Sequence, residues 1–80
     1  MGIKEAVVNR IRTICEQRNI AVNQLANLSG VTPSTIYSFM RTSRKDVGIV
    51  TLKKLCDGLE ISVEEFFSDP SFTELGPEVN

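Results

Sequence analysis

Residues 29–33 read Ser-Gly-Val-Thr-Pro, and this pentapeptide dictates the layout of what surrounds it. Gly30 takes the positive φ of a tight turn without steric cost, so it closes a short helix over Val22–Ser29 whose apolar side is Leu25, Ala26 and Leu28. Two residues on, Thr32 is placed to accept a backbone N–H as an N-cap. Pro33 takes the first helical position, where its missing N–H costs nothing. A second helix over 33–41 follows, so two helices meet across a turn of about three residues.

The rest of the chain also reads as helix. In 3–18, Ile3, Val7, Ile11, Ile14 and Cys15 recur at helical spacing, while Lys4, Asn9, Arg10, Arg12, Thr13, Glu16 and Gln17 fill the other face. This helix stops near Arg18–Asn19, since Asn tolerates the left-handed backbone of a helix end. Residues 42–48 carry no apolar period and read as a basic loop. A helix over about 49–58 places Ile49, Leu52, Leu55, Cys56 and Leu59 on one stripe, with Gly58 weakening its last turn. Ser62 and Glu65 have the spacing of a capping box, in which each side chain serves the other's backbone N–H, and a short helix over 63–67 follows.

Beyond Ser68, Pro70, Gly76 and Pro77 break any helix, yet Phe72 and Leu75 are too apolar for a free tail. The expectation is an all-α fold of five helices, with one domain over 1–67 and an extension over 68–80 that is partly docked or disordered. No repeat and no alternating β-branched run is present.

Inventory excludes several kinds of chemistry. A chain of 80 residues buries only about 60% of the surface it exposes when unfolded, which leaves little room for an enclosed active site. It contains no histidine and only two cysteines, Cys15 and Cys56, which both fall on apolar stripes. A tetrahedral metal shell and a Cys-His nucleophile therefore both fail, and the thiols read as small reduced core residues. No cofactor, metal or enzymatic activity is expected. The longest apolar run is far too short to span a membrane and the first residues lack a signal-peptide stretch, so a cytoplasmic protein is expected.

The formal net charge of −1 hides a division. All nine basic residues lie in 1–54 with three acids, a net of +6, whereas 55–80 carries seven acids and no base. No acid occurs between Glu16 and Asp46. Within that stretch, the helix over 33–41 presents Ser34, Tyr37, Ser38 and Arg41 on one stripe and turns Ile36, Phe39 and Met40 the other way. An ordinary surface helix mixes Glu with Lys. A face without carboxylates suits a groove lined with phosphates, which would repel each acid. The alternative, a merely solvated basic loop around Arg41, Arg44 and Lys45, is the commoner meaning of such charges, but the acid-free stripe before them favours phosphate binding.

The run from Leu25 to Tyr37, together with Thr51–Cys56 and Leu59–Phe67, resembles the Cro and phage-repressor type of helix-turn-helix regulator, the XRE-like bacterial and phage transcription factors. That resemblance implies a five-helix lambda-repressor-like domain, often dimeric, that lays the helix over 33–41 against duplex DNA. The family's base-facing positions fall on Pro33, Ser34 and Ser38, with Tyr37 beside them. Phosphate contacts fall near Val22 and on Asn23, Thr35, Arg41, Arg44 and Lys45. Relatives commonly place Gln or Arg where this chain has proline and two serines, so direct base readout is expected to be weak. The buried Arg–Glu pair that often joins the first and third helices falls on Cys15 and Met40, which reads as an apolar substitute for the pair.

Two functions compete. The first is a sequence-specific double-stranded-DNA-binding transcriptional regulator, a repressor acting as a homodimer, with Phe66, Phe67, Phe72 and Leu75 available either to the core or to the dimer contact. The second is a protein-interaction module, an antitoxin or adaptor half that keeps the fold and reads DNA weakly or not at all.

Overall fold

The computed structural model describes residues 2–41, 43 and 46–79. Along the chain run α1 (Ile3–Gln17), α2 (Val22–Ser29), α3 (Pro33–Phe39), α4 (Ile49–Gly58) and α5 (Val63–Phe66), then a 3₁₀ turn over Pro70–Phe72. There is no strand among the described residues. The core is one cluster to which all five helices contribute, including Val7, Val8, Ile11, Leu25, Ile36, Leu52, Leu55, Leu59 and Phe66. Cys15 and Met40 are both buried in it.

Helix ends follow local chemistry. α1, α2 and α4 each close with a residue one or two places past the helix in a left-handed conformation: Asn19 at φ 55°, Gly30 at φ 70° and Glu60 at φ 57°. In each, the next N–H returns to a carbonyl five residues back, from Ile20 to Cys15, Val31 to Ala26 and Ile61 to Cys56, all at 3.0 Å. Asn19 and Gly30 suit that backbone, whereas Glu60 adopts it against its own preference. At α5, Ser62 Oγ accepts from the Glu65 N–H at 2.9 Å. The expected return bond from the Glu65 carboxylate is absent among the described residues, so only half of the capping box forms.

Several expectations shift. α3 ends at Phe39 rather than 41, because the Arg41 N–H bonds the Ser38 carbonyl three residues back, at 3.3 Å, which breaks the four-residue ladder that Met40 still makes to Ile36. Arg41 therefore follows the helix instead of lying on its stripe. α1 stops one residue early, at Gln17, and α5 at Phe66. Ile3, Leu28 and Ile49, read as apolar-face residues, are all exposed, Ile49 at 69%. Each lies in a terminal turn, where a helix runs past the core.

The largest corrections concern charges on α1. Lys4 was expected on the solvent face yet is 5% exposed, because Ala6, Val7 and Val8 are all buried and the covered face of α1 is wider than one stripe. Arg10 is half-buried. Its Nε donates to the Phe66 carbonyl at 2.9 Å, another guanidinium nitrogen reaches the Glu65 carbonyl at 3.1 Å, and a third lies 3.7 Å from Asp69 Oδ1. One side chain thereby caps the end of α5 and ties the following turn to α1. Arg18 does the same for α4 by donating to the Leu59 carbonyl.

Past α5 the rings of Phe66, Phe67 and Phe72 pack together with centroids 4.9–6.1 Å apart. Asp69 caps the 3₁₀ turn by accepting from the Ser71 N–H and hydroxyl. Further on, Glu78 accepts from the Ile3 N–H at 2.7 Å, an acid at the start of α1 where the helix dipole favours one.

Candidate nucleic-acid interface

α2 and α3 meet across Gly30, Val31 and Thr32, and the geometry of α3 begins with its cap. Thr32 Oγ1 accepts from the Thr35 N–H at 3.2 Å and lies 2.8 Å from Thr35 Oγ1 and 3.2 Å from Ser34 Oγ. Three hydroxyls therefore gather at the start of α3. From there the helix divides. Ile36 and Phe39 are buried, Pro33, Ser34, Thr35 and Tyr37 are exposed, and Ser38 is half-buried. Tyr37 is 53% exposed, with its ring on the outer side.

Flanking residues add polarity. Asn23 is exposed in the first turn of α2 and Val22 is half-buried. Ala21 gives α2 no side-chain cap, so the first N–H groups of this helix are left without a side-chain partner and are available to an anion. Arg41 is exposed just beyond α3. Arg44 and Lys45, read from sequence as phosphate contacts, lie outside the described residues. Lys53 pairs with Asp57 one turn along α4, an exposed pair of little energetic weight.

Beside α3 runs an open groove of about 640 Å³ lined by Ser34, Thr35, Ser38 and Phe39 on one side and by Lys4, Asp46, Gly48 and Thr51 on the other. None of these lining residues comes from the acidic 55–80 segment, and the one acid among them is Asp46. Lys4 and Thr51 are the neighbours of α3 that the sequence reading missed. The one available sign was that Lys4 precedes Val7 and Val8 by three and four residues, which puts it on their side of α1.

The apolar residues named as dimer contacts sort differently. Phe66 is fully buried and has no surface to offer a second copy. Phe67, Phe72 and Leu75 are half-buried. The two cysteines are buried and unbonded, and burial pushes both thiols above their ordinary pKa, with Arg18 opposing the shift at Cys15. Among the described residues no group of three His, Cys, Asp or Glu is arranged to hold a metal ion, and no helix is long and apolar enough to cross a membrane.

Comparison with known proteins gives this arrangement a context. The family profile of the Cro/C1-type HTH DNA-binding domain matches residues 10–71. The SPbeta prophage-derived HTH-type transcriptional regulator YopS of Bacillus subtilis (strain 168) is 25% identical over 57 residues, which are 71% of this chain and 77% of that protein. Among solved structures, the prophage Lp1 protein 11 is similar with a TM-score of 0.81 and 32% identity, over 94% of this chain and 100% of that one. The clp gene regulator ClgR from C. glutamicum has a TM-score of 0.74 and 20% identity over 94% of this chain and 96% of its own, a likeness of fold.

Proposed function

The chain belongs to the Cro/C1-type helix-turn-helix DNA-binding family, and from that premise we propose that it is a sequence-specific duplex-DNA-binding regulator that represses transcription as a cytoplasmic homodimer. The observation that carries this reading is the outer side of α3: Ser34 and Tyr37 exposed, Ser38 half-buried, no carboxylate among them, and Ile36 and Phe39 turned into the core.

In this reading α3 enters the major groove. Pro33, Ser34, Tyr37 and Ser38 face the bases, and Asn23, Thr35, Arg41, Arg44 and Lys45 meet the flanking phosphates. Serine hydroxyls make single, adaptable hydrogen bonds, and the Tyr37 ring lies against a thymine methyl or a sugar. Such contacts discriminate weakly, so DNA shape and deformability supply a large share of specificity. Two copies on half-sites about 34 Å apart combine two modest affinities into one useful one. Phe67, Phe72 and Leu75 are the apolar residues available to that dimer contact. A helix-turn-helix domain of this kind can act simply by occupying its site, which favours repression.

A second reading, a protein-interaction module, is favoured by one observation: Pro33, Ser34 and Ser38 occupy positions where longer side chains would give bidentate base contacts. Fluorescence anisotropy with a duplex chosen by random-site selection separates the two. A DNA reader binds at micromolar concentration or tighter, its log affinity falls against log salt with a slope steeper than about −2, and Arg41→Ala with Arg44→Ala abolishes binding. Absence of binding at low salt, or affinity indifferent to salt, contradicts the regulator reading.

A further inference from the structure

We propose that Lys4 is a positioning residue of the DNA-reading surface, tying the end of α3 at Phe39 to the backbone at Asp46 and so setting where α3 and Arg41 just beyond it meet the DNA. This rests on the DNA-binding reading above. Lys4 projects from the first turn of α1 and is only 5% exposed. Its ammonium lies 4.8 Å from the centre of the Phe39 ring, at the end of α3, and its Nζ donates to the Asp46 carbonyl at 3.1 Å. Phe39 and Asp46 bracket the stretch of sequence that carries Arg41, Arg44 and Lys45.

Lysine is almost never this buried without compensation, since withdrawing an ammonium from water is costly. A methionine would fill similar volume without that cost. What the methionine lacks is the ability to attract a ring face and bind a carbonyl at once. A helix end held in this way explores fewer orientations, so less order has to be imposed on Arg41 when a phosphate arrives. Lys4 also lines the groove beside α3, together with Gly48 and Thr51 at the start of α4. Its burial makes Lys4 a poor phosphate ligand itself.

The test uses the full chain and one fluorescent duplex obtained by random-site selection, with affinity read across a salt series and ¹⁵N relaxation read at Asp46 and Val47. Lys4→Met is expected to remain folded, bind about tenfold more weakly with an unchanged salt slope, and lower the order parameters at Asp46 and Val47. Lys4→Arg, which keeps a cation and a donor, recovers most of the affinity. Phe39→Leu, which withdraws the ring and leaves the ammonium, is the second arm and gives the same loss at constant slope, so the outcome does not hang on one variant folding.

Wild-type affinity in Lys4→Met or in Phe39→Leu overturns the proposal, as do unchanged order parameters. A slope shallower by about 0.9 overturns it differently, by making Lys4 a phosphate contact in its own right. If the wild type binds no duplex, the DNA-binding reading fails instead, a result distinct from any difference between variants.

Discussion

Gly58 of α4 lies so close to Ser29 of α2 that a β-carbon at Gly58 would sit 3.0 Å from both the backbone nitrogen and the α-carbon of Ser29. The two helices thus meet almost backbone to backbone, immediately before the Gly30 turn that orients α3. Ser29 Oγ is buried in that contact without a hydrogen-bond partner among the described residues. Glycine within a helix ordinarily costs about 1 kcal/mol relative to alanine, so propensity alone would favour Gly58→Ala. The backbone contact decides otherwise: overpacking of this kind costs about 1–3 kcal/mol. Gly58→Ala is expected to lower the urea midpoint, whereas Ser29→Ala, which removes an unpaired buried hydroxyl, leaves it equal or raises it. The opposite order would show that the helices separate easily.

The cap of α3 is the local feature on which the interface stands. Thr32→Ala removes the acceptor for the Thr35 N–H and is expected to cost about 1 kcal/mol, read as a lower thermal midpoint. Thr32→Ser retains the acceptor and stays close to wild type. Equal midpoints for Ala and Ser would mean that the proline at the next position sets the helix start by itself.

Cys15 and Cys56 predict a dependence on alkaline pH. Burial raises both thiols above the ordinary 9.0, most strongly by desolvation, with Asp57 adding to the rise at Cys56. The unfolded chain therefore loses these protons first. The stability they contribute is intact below the unfolded pKa and declines as pH climbs through the folded values. The fall in urea midpoint between pH 8 and pH 10.5 should shrink in the Cys15→Ala, Cys56→Ala double variant. In the native protein at pH 7.5 neither thiol should react with a disulfide reagent until denaturant is added. Prompt reaction of the native protein would contradict the burial.

What could be read ahead from residues was what local chemistry determines. The end of α2 and the start of α3 depend on Gly30, Thr32 and Pro33, neighbours in sequence whose backbone preferences act within one turn. The start of α5 at Ser62 is of the same kind. Arg10 and Arg18 escaped because they cap carbonyls 56 and 41 residues away. Lys4 escaped because its partners belong to α3 and to the loop after it, and a cation in an amphipathic helix ordinarily faces water. Arg41 was placed on the stripe because the period of α3 continues past Phe39 in sequence, while the backbone turns at Met40. Contacts between distant segments, not propensity, decided each of these.

The claim that the outer side of α3 enters a phosphate-lined groove is tested most directly by one carboxylate. Ser34→Glu places a negative charge on that side at an exposed position, giving up only the hydroxyl contact between Ser34 and Thr32, and Lys54→Glu places one at an exposed position of α4 as a control. In anisotropy titrations against the selected duplex, with both variants shown to be folded by circular dichroism, Ser34→Glu is expected to weaken binding about a hundredfold and Lys54→Glu by no more than a few-fold. Equal affinity of Ser34→Glu and wild type would contradict the account, because a carboxylate cannot sit unopposed between DNA strands.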